Sequence, residues 1–148
     1  MSDKTLSKQL MHNDDSGFDF VKEMLTGDVT AAINFDRLQK HPQYGYIIFE
    51  FLLTGEEQTV TPYTSHPKLY WKKNSQKFIR LWDAAKELKA TLYLVNYAKK
   101  GTKHEDKVLL IKVLELTENG ITKENKTQMT RKEFSDFFRK LNKECLTT

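Results

Sequence analysis

One cysteine, Cys145, is the only thiol in this 148-residue chain. A lone cysteine excludes an internal disulfide and a cysteine-rich zinc site, and its place near the C-terminus makes it read as an incidental thiol rather than a nucleophile. The four histidines, His12, His41, His66 and His104, lack the close spacing of a zinc motif. No glycine-rich phosphate loop appears, which removes kinases, nucleotide hydrolases and nicotinamide enzymes from consideration. No serine sits in a nucleophile elbow. The longest apolar run, Tyr46 to Leu53, is interrupted by Glu50 and falls well short of the roughly 20 residues that span a bilayer. The opening residues Met1 to Thr5 lack the pattern of a secretory signal, so a cytoplasmic protein with no membrane association is expected.

What is present is enough for one core. The length suits one domain. A hydrophobic fraction of 39% supports a packed interior, and 30% charged residues argue against a fibrous or membrane-embedded chain. The net charge of +4 conceals an asymmetry: residues 1–66 carry −5 and residues 67–148 carry +9. A basic half attracts phosphate backbones, and an acidic half can hold a cation.

The pattern predicts a polar arm over residues 1–15 and a single domain over 16–148. Ser16 with Asp19 resembles a capping box ahead of the helical stripe Phe20, Val21, Met24 and Leu25, which carries Glu23. Residues 31–36 alternate like a strand ending at Asp36, and 46–53, apolar on both faces, read as a central strand after a loop containing His41, Pro42 and Gly45. A short return strand is expected over Thr59 to Thr61, then a long loop from Pro62 to Asn74. Ser75 is the expected cap of a helix with Phe78, Leu81, Trp82, Ala85 and Leu88 on one face and Lys73, Lys77 and Arg80 on another. Strands follow over 91–98 and 107–116, with Val108, Leu110, Lys112 and Leu114 facing one way and Leu109, Ile111, Val113 and Glu115 the other. Asn119-Gly120 turns into a polar edge strand, 121–128. Thr130 and Glu133 form a capping box for a last helix packed through Phe134, Phe137, Phe138 and Leu141. The expected fold class is α/β (α+β), a central mixed sheet flanked by helices.

Glu50 carries the most information. An ionised carboxylate inside Ile-Ile-Phe-Glu-Phe-Leu-Leu is costly to bury unless a cation or hydrogen bonds compensate it. Asp36, at the end of the preceding predicted strand, can approach it, and magnesium sites commonly use one or two carboxylates with water and substrate phosphate. In the plainer reading Glu50 faces solvent or pairs with a lysine or arginine while Asp36 caps a turn. Tyr63, His66, Lys68, Tyr70, Trp71, Lys72 and Lys73 interleave rings with cations, a composition that can stack bases and track phosphates, although Tyr70 and Trp71 could equally pack beneath their loop.

A helix with Glu23, then Asp36, then Glu50 in an apolar strand, a lysine-bearing helix and a further buried strand, together spanning about Phe18 to Tyr97, resembles the restriction-endonuclease-like PD-(D/E)XK superfamily. The resemblance implies a restriction-endonuclease-like fold and a Mg2+- or Mn2+-dependent nuclease acting on DNA. Asp36 and Glu50 would be metal ligands and catalytic, and Glu23 a third ligand. Where the family has a lysine two positions beyond the strand glutamate this chain has Leu52, and Phe35 stands in place of the proline before Asp36. Some relatives carry the lysine on the following helix, which makes Lys77 the catalytic candidate, with Lys73 second. Lys68, Tyr70, Trp71, Lys72, Lys73, Asn74 and Arg80 are then the candidate nucleic-acid contacts. A homodimer is compatible with cutting two strands. Two other readings stand beside this one: a catalytically silent nuclease-like module that binds nucleic acid, and a phage or plasmid accessory protein that binds and regulates a host protein.

Overall fold

The computed structural model describes residues 16–55 and 59–146. The expected arm over 1–15 lies outside them. The chain divides into two compact units, residues 1–32 and 33–148. The first contains the helix α1, Ser16–Leu25, which ends just before two successive left-handed residues, Thr26 and Gly27. The second is built on a five-stranded mixed sheet in the order β1 (Arg37–His41), β2 (Gly45–Thr54), β3 (Thr91–Ala98), β4 (Lys107–Thr117), β5 (Gly120–Thr130). Its helices are α2 (Trp71–Leu88) and α3 (Arg131–Cys145), and the chain is of the α+β class. None of the described helices is long and apolar enough to cross a membrane.

Every sheet neighbour is antiparallel except β2 and β3, which run parallel because α2 crosses between them. Alternation along each strand sorts the core into two layers. Ile48, Leu92, Leu94, Leu109, Ile111 and Val113 meet Phe78, Leu81 and Ala85 of α2. Ile47, Phe49, Val95, Val108 and Leu110 meet Leu141 and the Phe134, Phe137 and Phe138 rings of α3. The two helices therefore cover opposite faces. Phe49 shows the density of the α3 layer, with Tyr93 stacked on it at 5.2 Å and Phe138 edge-on at 5.2 Å.

Several expected boundaries are corrected. Residues 31–36 are irregular, and the strand lies at Arg37–His41, in what read as a loop. The reason is His41: its Nδ1 accepts from the backbone N–H groups of Gln43 and Tyr44, and its Nε2 meets Glu144 of α3 at 2.8 Å, so a tight hairpin closes there. Gly45, at φ 78°, completes that turn. Thr59 to Thr61 form no strand. Instead Asn96, buried on β3, donates through Nδ2 to the carbonyls of Pro62 and Ser65 and pins that segment. The long loop is shorter than expected: a 3-10 turn spans Pro67–Tyr70 and α2 begins at Trp71, so Ser75 lies inside the helix rather than at its cap. A β-bulge at Glu115 shifts β4 out of phase, exposing Leu114 and returning Leu116 to the core. The last helix, its Thr130–Glu133 capping box and the polar edge strand stand as the pattern predicted.

Candidate active site

The β1–β2 hairpin pairs Arg37 with Phe49. Two residues further along β2, where β1 has not yet begun, the N–H of Phe51 would have no strand partner, and the Asp36 carboxylate supplies one through Oδ2 at 2.8 Å. That bond fixes Asp36 beside Glu50. Glu50 follows Ile48 on the α2 side of β2, is only 4% exposed, and is met by Lys77, one residue before the buried Phe78 of α2. Lys77 Nζ stands 2.7 Å from Glu50 Oε2 and remains 46% exposed. Asp36, Glu50 and Lys77, far apart in sequence, thus share one location on the α2 face.

Lys77 only partly compensates the two carboxylates. Burial pushes the Glu50 carboxyl above its ordinary value; Lys77 opposes this through its hydrogen bond and charge, and the neighbouring Asp36 carboxylate adds to it. Glu50 Oε1 is buried and has no hydrogen-bond partner among the described residues. Asp36 could bond to it only if one of the two acids held a proton, since two carboxylates bring no donor. Two hard oxygen ligands with one lone pair set unengaged fit a divalent cation of the magnesium type. Among the described residues no group of three or more histidine, cysteine, aspartate or glutamate side chains is gathered; Glu23 is exposed on α1, in the other unit.

The expected nucleic-acid contacts divide. Lys73 and Arg80 are exposed on α2 at helical spacing from Lys77, and Lys68 and Lys72 are exposed nearby in sequence. Asn74 bonds back to the carbonyl of Tyr70, the residue just before α2. The ring-stacking expectation is corrected for Tyr70 and Trp71. Trp71 lies flat against Phe78 at 5.6 Å and donates its indole N–H to the Glu118 carbonyl. Tyr70 tilts against the same ring, and burial pushes its hydroxyl up to about 12. Tyr63 and His66 also bond inward, to the Met129 carbonyl and to Glu124. These rings fasten α2 and the preceding segment to β5. Leu52 is partly buried and packs against the α2 core.

No protein-family model, curated protein or solved structure matches this chain. Geometry and chemistry alone therefore bear on what the site does.

Proposed function

We propose that the protein is a divalent-metal-dependent nuclease with a restriction-endonuclease-like fold, hydrolysing phosphodiester bonds in DNA. The observation that carries this reading is the convergence of Asp36, Glu50 and Lys77. Asp36 and Glu50 would hold magnesium or manganese, Asp36 oriented by the Phe51 N–H and Glu50 by the rigid strand. When bound, the ion supplies positive charge for the phosphodiester and acidity for the attacking water. Lys77, freed from part of its pairing with Glu50, would orient the water or stabilise charge developing on the phosphate. Lys73 and Arg80 extend the positive stripe along which a backbone could lie, with Lys68 and Lys72 beside it.

The apolar, partly buried Leu52 at the family's lysine position favours a second reading, a nuclease-like module that binds nucleic acid without cutting it. Oligonucleotide cleavage in magnesium and in manganese separates the two. The nuclease reading expects cleavage that stops with EDTA and falls by about a hundredfold or more in Asp36→Ala, Glu50→Ala and Lys77→Met. Salt-sensitive DNA binding with intact substrate under every metal condition would establish the silent module instead.

A further inference from the structure

The loop between β3 and β4 carries charge that the candidate active site does not use. It reads Lys99-Lys100-Gly101-Thr102-Lys103-His104-Glu105-Asp106. A charged run between strands is ordinarily a loose solvated turn, but this one is fastened along its length. Thr102 bonds to the Lys99 carbonyl through both its N–H, at 3.2 Å, and its hydroxyl, at 2.6 Å. The Glu105 N–H returns to the Thr102 carbonyl and the Lys107 N–H to the His104 carbonyl. Gly101, at φ 90°, makes a reversal that a residue with a side chain would resist. Arg131, the first residue of α3, clasps the two ends of the loop: its Nη1 donates to the carbonyls of Ala98 at 3.1 Å and Glu105 at 2.6 Å.

The same bonds sort the charges. Both acids are turned to the backbone. Glu105 accepts the Gly101 N–H through Oε2 at 2.8 Å, and Asp106 takes the Arg131 N–H through its carbonyl at 3.0 Å and its carboxylate at 3.4 Å. Lys107 lies over the Tyr63 ring. Lys99, Lys100 and Lys103 are left exposed, and among the described residues no carboxylate pairs with any of them. Three ammonium groups thus stand on one short, braced turn, and bracing the backbone lowers the ordering cost of meeting a polyanion. Lys99 follows Ala98, which pairs with Thr54 at the end of β2, whereas Glu50 pairs with Leu94 four residues earlier. At about 3.3 Å per residue the turn begins roughly 13 Å along the parallel strands from Glu50, a span over which a DNA duplex presents about eight phosphate charges.

We infer that this turn is a phosphate-gripping arm for duplex DNA, with Lys99, Lys100 and Lys103 contacting the backbone and reading no base. The inference rests on DNA as the substrate in the reading above and holds whether or not the protein cuts it. Each phosphate contact releases counterions and contributes about 0.9 to the slope of log K against log salt, whatever the sequence.

Fluorescence anisotropy of the full chain with a labelled duplex in EDTA, repeated across a salt series, tests it. Lys99→Gln, Lys100→Gln and Lys103→Gln combined should lower the magnitude of the slope by about 2 to 3 and weaken binding of two unrelated duplexes equally. A charge-matched control on β5 and α3, combining Lys123→Gln, Lys126→Gln and Lys143→Gln, should change it by less than about 1. All six side chains are exposed, so both variants should keep the wild-type fold by circular dichroism. If wild type binds but the loop variant keeps its slope, or the control lowers it equally, the inference is overturned and the DNA reading stands. A wild type that binds no duplex would overturn both.

Discussion

Replacing Glu50 by glutamine should stabilise the protein while removing its candidate cation site. In the wild type one oxygen of this nearly buried carboxylate meets Lys77 and the other meets no donor, with Asp36 alongside. Glutamine keeps the shape, offers its carbonyl to Lys77, and presents an N–H that can donate to Asp36. Removing one member of a buried ion pair is costly when it strands the other charge, but Lys77 is half-exposed and loses little by returning to water, so relief of the Glu50 desolvation wins by a small margin, about 1 kcal/mol near pH 7. For a domain of this size that is about 3–5 °C in Tm. The pH dependence carries the sign. The folded-state value of Glu50 is raised above 4.5, so its favourable contribution is full below 4.5, where the acid is protonated in both states, and is lost as pH rises through the folded-state value. The advantage of Glu50→Gln should therefore appear above that value and vanish in acid. Thermal unfolding of both proteins between pH 4 and 8 reads this directly. A glutamine variant less stable than wild type at pH 7 would refute the reasoning, because the Lys77–Glu50 pair would then be a net support of the fold.

Two further substitutions test how the site is positioned. His41→Ala removes the acceptor of two backbone N–H groups and the link to Glu144, and should lower stability by about 2 kcal/mol in denaturant unfolding, loosening the hairpin that carries Asp36. Thr130→Ala removes one arm of the α3 capping box and should lower stability by about 1 kcal/mol without altering cleavage, since α3 lies on the other face.

Strong periodicity made the central strands and α3 legible in the sequence. An apolar run apolar on both faces became β2, and Thr130 with Glu133 announced α3 before any coordinates were needed. The failures share a cause: they lie where a long-range side-chain bond overrides local pattern. His41 reaching Glu144 moved the first strand by several residues, and Asn96 holding Pro62 and Ser65 prevented a return strand. Neither partner is visible within a local window. Glu50 stands out in the sequence because a carboxylate in an apolar strand demands a partner, whereas Lys77 is a candidate there only through the resemblance to a family with relatives that carry the lysine on the following helix. Asp36 was placed beside Glu50 for an imperfect reason: it stands before β1 rather than at the end of a strand, and a backbone bond from Phe51 brings it there.

The most direct test of a cation site at Asp36 and Glu50 is manganese binding by titration calorimetry, comparing wild type with Asp36→Asn and Glu50→Gln. Both substitutions preserve size and keep one carbonyl acceptor, so fold and affinity can be read separately. Wild type should bind one manganese ion, and each variant should bind at least about tenfold more weakly while unfolding no earlier than wild type by more than about 1 kcal/mol. Manganese binding that is absent in the wild type, or unchanged in both variants, would contradict a metal site at the Asp36–Glu50 pair.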